Sequence, residues 1–99
     1  MRTDVLGRVE ARLLELHVKG ISVGHGMGYG EYMNFWTHGW MVPHATIEMY
    51  AEATRAEEIA TAIVESAHTG VAGDGMVAIL PVEKLYRIRT KAEATPEEI

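Results

Sequence analysis

The spacing of apolar residues changes period along this chain, and that alternation limits it to a small mixed α and β fold. Val5, Val9, Leu13 and Leu16, with Leu6 and Leu14 beside them, recur every three or four positions. That is the stripe of an amphipathic helix, started by a cap at Thr3 or Asp4 and stopped at Gly20. Ile21 and Val23 then alternate around Ser22, and Ile47, Met49 and Ala51 share one side of a segment running from Ala45 to Ala51. Period two in both stretches predicts an antiparallel strand pair. Thr54 followed by Glu57 reads as a capping box, and Ile59, Ala60, Ile63, Val64 and Ala67 form a second helical stripe that ends at Gly70. Met76 to Leu80 is an apolar strand, interrupted by Pro81 and continued from Val82 to Ile88. The 99 residues make one domain, with 1–90 as core and the small, charged stretch 91–99 as a mobile tail.

Charge and composition exclude several function classes. A net charge of −5 opposes binding to nucleic acid or to an anionic membrane surface. The chain has no cysteine, which removes disulfides, thiolate nucleophiles and iron–sulfur ligation. No apolar run reaches the roughly 18 residues of a membrane span, and Met1-Arg2-Thr3-Asp4 leads into no signal-peptide core, so a cytoplasmic location without membrane insertion is expected. Catalysis is not expected. Asp74 beside His68 is a thin acid and base pair without a nucleophile, and Glu57-Glu58 and Glu97-Glu98 read as solvated charges.

The chemistry concentrates in the run Thr69-Gly70-Val71-Ala72-Gly73-Asp74-Gly75, followed by Arg87-Ile88-Arg89-Thr90. Glycines at positive φ let backbone N–H groups converge on an anion, and guanidinium forks add charge-assisted donors. On a strand, Arg87 and Arg89 would alternate with Ile88 and share one face. The pattern suits a phosphate. In these residues the chain resembles the PII signal-transduction family, which carries Thr-Gly-x-x-Gly-Asp-Gly, a strand, and then Arg-x-Arg-Thr. The likeness runs back through Pro43-His44-Ala45-Thr46-Ile47-Glu48 and, more loosely, through Gly20-Ile21-Ser22-Val23 and Gly28-Tyr29-Gly30.

The resemblance implies a ferredoxin-like α+β fold: an antiparallel sheet with two helices on one face, assembled as a homotrimer. The elements read here begin with a helix, so the family's first, central strand is not among them. An omitted natural strand, a strand lent by another chain or by the tail, and a rearranged sheet each answer that. The resemblance also implies an adenine-nucleotide cleft between subunits, using Ser22, Gly28, Gly30, Glu48, Gly70, Gly73, Asp74, Gly75, Arg87 and Arg89. Val71 and Met76 stand where the family has lysines beside its phosphate loop, so ADP or AMP is expected to be preferred over ATP. Glu31 and Tyr32 replace an arginine and a glutamine, and His44 a lysine, which removes the family's 2-oxoglutarate chemistry. Bicarbonate is a candidate second effector.

Residues 24–44 correspond to the family's partner-binding loop, through which a membrane transporter or metabolic enzyme would be regulated. Tyr32, Phe35, Trp36 and Trp40 form either that contact surface or an apolar patch folded back on the sheet. A reading from a different class rests on imidazole and thioether ligands. His25, His38 and His44, with Met27, Met33 and Met41, lie on the loop and could hold copper or zinc, making the chain a trimeric metal sensor or tolerance protein.

Overall fold

The computed structural model describes residues 1–28 and 42–99. Two α-helices carry the core, α1 at Leu6–Glu15 and α2 at Ala56–Ala67, each entered through a 3-10 turn, at Thr3–Val5 and Ala53–Arg55. They pack antiparallel. Arg8 near the start of α1 donates to the Ser66 carbonyl at the end of α2 (2.6 Å), and Arg55 before α2 donates to the Leu16 carbonyl at the end of α1 (2.6 Å). The buried stripe is Val5, Val9 and Leu13 against Ile59, Ile63 and Ala67, as the helical periodicity requires.

The strands β1, Ser22–Gly28, and β2, Val42–Glu48, pair antiparallel with Ser22 opposite Glu48 and His25 opposite Ala45. Ile47, Met49 and Ala51 pack on the helical core together with Ile21, so both helices lie against one face of this ribbon. Met1 and Arg2 extend the ribbon on the edge of β2 away from β1. The Met1 ammonium donates to the Ala45 carbonyl (2.8 Å) and the Ala45 N–H returns a bond to the Met1 carbonyl (2.8 Å). This antiparallel bridge, Arg2 opposite His44, uses backbone groups that β1 leaves unpaired.

The α+β composition, the two helices and the antiparallel pairing agree with expectation; several local readings do not. α1 ends before Gly20. The N–H groups of His17 and Val18 bond the carbonyls of Leu14 (3.0 Å) and Leu13 (3.1 Å), with His17 in the left-handed region at φ 60°. That is a Schellman stop built on histidine where glycine is usual. Neither helix has the side-chain cap assigned from sequence: Asp4 pairs with Arg2 (3.3 Å), and the Thr54 hydroxyl turns to Glu52 (3.5 Å).

Met76–Leu80 has strand composition but no strand pairing among the described residues. Among the described residues the second sheet is only β3, Tyr86–Arg87, with β4, Ala92–Glu93, so the expected single sheet is replaced by two separate strand pairs. The chain reverses through residues 88–91, where Lys91 takes φ 56° and donates to the Arg87 carbonyl (3.0 Å). Arg89 therefore lies in a turn and does not continue the strand face of Arg87. Residues 91–99, expected as a mobile tail, take up β4 and a 3-10 turn at Pro96–Glu98, closed by a capping box between Thr95 and Glu98.

Candidate functional site

Where β1 and β2 end, the pairing of Ser22 with Glu48 brings two polar side chains to the same face, because directly opposed residues of an antiparallel ribbon share a side. The β3–β4 hairpin lies across from them. Between the two is a cleft of about 580 Å³, lined among others by Lys19, Ser22, Glu48, Arg87, Arg89 and Glu98. That volume lies in the ordinary range for a small-molecule site. Three cations, Lys19, Arg87 and Arg89, face two carboxylates, Glu48 and Glu98. Arg89 has no ion pair among the described residues; Arg87 Nε donates to a Glu98 carboxylate oxygen (3.1 Å) and its terminal nitrogen to the Glu98 carbonyl (3.1 Å).

Ser22, Glu48, Arg87 and Arg89 are thus brought together, although Arg89 arrives by a turn. The glycine loop is elsewhere: Gly70, Gly73, Asp74 and Gly75 are not among the residues lining this cleft. Gly28 closes β1 opposite Val42, and Gly30 falls outside the described residues, as do Tyr32, Phe35, Trp36 and Trp40. Lys19 and Glu98 were missed. Glu98 carries a legible signal, since Thr95-Pro96-Glu97-Glu98 is a capping box with proline at its first turn position, although Glu97-Glu98 alone reads as solvated charge.

The loop is ordered by its own carboxylate. Asp74 accepts from the Thr69 hydroxyl, from the Thr69 N–H (2.9 Å) and from the Gly70 N–H (3.0 Å), while Gly70, Gly73 and Gly75 take φ of 83°, 100° and 93°. These bonds favour the ionised acid. The Thr69 hydroxyl and N–H chiefly hold the Asp74 carboxyl down to about 2; desolvation opposes them, and the Gly70 N–H and nearby His68 add smaller contributions in the same direction as Thr69. His68 Nδ1 stands 3.9 Å from Asp74 on a largely exposed ring. With its oxygens taken up by Thr69 and Gly70, Asp74 is a loop clamp rather than half of an acid and base pair.

The proposed metal ligands do not converge. His25 is opposite Ala45 and His44 opposite Gly26, so adjacent positions 44 and 45 send the two imidazoles to opposite faces of the ribbon. His38 falls outside the described residues, and no cluster of three or more His, Asp or Glu side chains suited to a metal occurs among those described. The metal-sensor reading has no support.

The sequence matches the family model described as "Nitrogen regulatory protein P-II" over residues 1–92. The chain belongs to the P-II family. A P-II relative described as "Nitrogen regulatory protein P-II", from Azospirillum brasilense, is 35% identical over 92 residues, covering 86% of this chain and 82% of the relative. "Nitrogen regulatory protein GlnK2" from Haloferax mediterranei is 32% identical over 98 residues, covering 91% and 79%. A "Nitrogen regulatory protein P-II homolog" from Arabidopsis thaliana is 29% identical over 91 residues, covering 84% of this chain and 46% of that protein. Membership makes this P-II chain a regulatory, signal-transduction protein. No helix among its described residues is long and apolar enough to cross a membrane.

Proposed function

We propose that this P-II protein senses an adenine nucleotide in the cleft between the β1–β2 ribbon and the β3–β4 hairpin, and passes occupancy to a partner transporter or enzyme through residues 24–44. The observation that carries the reading is the convergence of Ser22, Glu48, Arg87 and Arg89 on one cleft from distant parts of the chain. Guanidinium groups suit the phosphates, and the opposed Ser22 and Glu48 offer polar groups for a base or ribose. With no lysine at positions 71 and 76, the reading favours ADP or AMP over ATP.

The separation of the glycine loop from this cleft supports an intersubunit site. In a homotrimer, the Gly70–Gly75 loop of one chain would complete the cleft of the next, reuniting the two halves of the phosphate-binding set. The apolar residues left exposed favour such assembly: Met76 is 97%, Leu80 77% and Ile88 92% accessible in the single chain. β1 and β2 form the two ends of the 24–44 segment and reach the cleft at Ser22 and Glu48, so closure of the cleft would bias its conformation by differential binding.

Calorimetric titration of ADP, AMP and ATP into the metal-free protein, with and without magnesium, tests the reading. Saturable binding, tightest for ADP or AMP, is expected. Arg87→Ala should weaken it by about 10- to 100-fold, the equivalent of about 1.5–3 kcal/mol for hydrogen bonds to a charged group, while the helical circular dichroism is unchanged. Absence of heat for all three nucleotides, with no shift in melting temperature, overturns the proposal.

A further inference from the structure

The cleft already contains an anion. Glu98 lies on the Pro96–Glu98 turn and reaches Arg87 through both its carboxylate and its main-chain carbonyl, each at 3.1 Å. The turn is held for that contact. The Glu98 carboxylate also accepts from the Thr95 N–H (3.4 Å), closing the capping box, and the Lys19 ammonium bonds the Glu97 carbonyl from across the cleft. The Ala94 N–H ties the approach to the Leu85 carbonyl (2.7 Å). Thus two of the three cations in the cleft, Arg87 and Lys19, are engaged by one short segment, and Ile99 beside it lines the same space. A guanidinium has five N–H donors in a fixed plane, and a bidentate anion needs a pair on one edge. Glu98 occupies the edge formed by Nε and one terminal nitrogen.

We propose that the Pro96–Glu98 turn is an internal competitor for the phosphate-bearing ligand: Glu98 holds the Nε edge of Arg87 and must be displaced for a phosphate to take that edge. The proposal rests on the nucleotide reading above for the identity of the natural ligand, but the competition concerns any phosphate anion that seeks Arg87. The apparent affinity is then the intrinsic affinity reduced by the fraction of molecules in which Arg87 is released. The Arg87–Glu98 pair is partly exposed, with 39% and 28% of the side chains accessible, so it sets a modest threshold and not a lock. Ligand binding would also free the turn, giving the protein a second segment, besides residues 24–44, whose position reports occupancy.

Glu98→Gln tests this in the full chain. Glutamine serves in a capping box as glutamate does, so the variant removes the charge and keeps the turn. ADP is titrated calorimetrically, and inorganic pyrophosphate is titrated while the Arg87 Nε–H resonance is followed by NMR. Glu98→Gln should tighten both by about two- to fivefold relative to the unmodified protein. Glu98→Ala, checked for unchanged helical circular dichroism, should do the same. Equal or weaker binding of both probes by both variants overturns the proposal, as does a failure of the unmodified protein and both variants to bind pyrophosphate. Pyrophosphate binding that tightens in the variants, with no ADP binding in any of the proteins, upholds the competition and refutes the nucleotide reading.

Discussion

Gly75 sits where the candidate loop abuts the start of the chain, and Gly75→Ala turns that approach into a measurable loss. The backbone there has φ 93°, and a Cβ would lie 3.2 Å from both the Cα and the N of Met1. An L-residue in the left-handed region costs about 1–2 kcal/mol, and 93° lies well beyond the centre of that region, near 57°. Against this, alanine reduces the entropy of the unfolded chain by about 0.4–1 kcal/mol. Crowding adds to the loss. Met1 must retreat by a few tenths of an ångström, yet it is held by its paired 2.8 Å hydrogen bonds with Ala45, each contributing about 1 kcal/mol. The net destabilisation is about 1–2.5 kcal/mol, which at a urea slope of about 1–3 kcal/mol/M lowers the midpoint by roughly 1 M. Gly24→Ala is the control, because nothing lies within 4 Å of a Cβ built there. Its effect should stay within about 0.5 kcal/mol. Hydrogen exchange supplies a local readout: the Ala45 N–H, bonded to Met1, should lose protection in Gly75→Ala and keep it in Gly24→Ala. Equal midpoints for Gly75→Ala and the unmodified protein, with Ala45 still protected, would show that the loop does not abut Met1 and refute the reasoning.

Two further outcomes follow from local geometry. The Asp74 carboxyl is depressed in the folded loop from 3.8 to about 2, so its bonds to Thr69 and Gly70 contribute stability that is fully present above pH 3.8 and lost as pH falls through 2. A carbon-13 NMR titration of the Asp74 carboxyl should show a midpoint near 2, and a midpoint near 3.8 would mean that the clamp does not form. His17→Gly relieves a left-handed residue at the end of α1 and should stabilise the protein by about 0.5–1 kcal/mol in urea unfolding, unless His17 does not adopt φ 60°.

The elements legible in the sequence were those defined by their own residues. Val9, Leu13, Ile59 and Ile63 repeat at helical spacing, and burying that spacing requires two packed helices whatever surrounds them. Ile47, Met49 and Ala51 likewise gave the buried side of the ribbon. Met76–Leu80 marks the limit of such reasoning. Its residues are as apolar as those of any buried strand, but a strand is defined by the neighbour that takes its N–H and C=O groups, and no described residue pairs with it. For the site, Arg87 and Arg89 are legible from their own charge and spacing, Ser22 and Glu48 only through family resemblance, and all four line one cleft. Lys19 and Glu98 were missed because neither matches that pattern and each reaches the cleft only through a reversal of the chain.

Those reversals share a physical cause. Left-handed turns are usually announced by glycine, which adopts positive φ without a Cβ clash. Gly70, Gly73 and Gly75 announce one here, and all three take positive φ. The two non-glycine residues with positive φ among those described are His17 and Lys91. Each sits where the sequence reading went astray: His17 stops α1 ahead of Gly20, and Lys91 turns the chain so that β4 pairs with β3. Each is supported by backbone bonds around it, His17 by the two closing bonds of the helix end and Lys91 by its own N–H bonds to the carbonyls of Arg87 and Ile88. Net bonds of about 1 kcal/mol apiece offset a left-handed penalty of about 1–2 kcal/mol. The conformational cost is therefore met by interactions that exist only in the folded chain. The turn at Lys91 is also what carries Glu98 back to Arg87, so the contact proposed to compete with phosphate depends on a residue whose own preference opposes the turn. That opposition lowers the net stability of the hairpin, in the direction that the proposed displacement by phosphate requires.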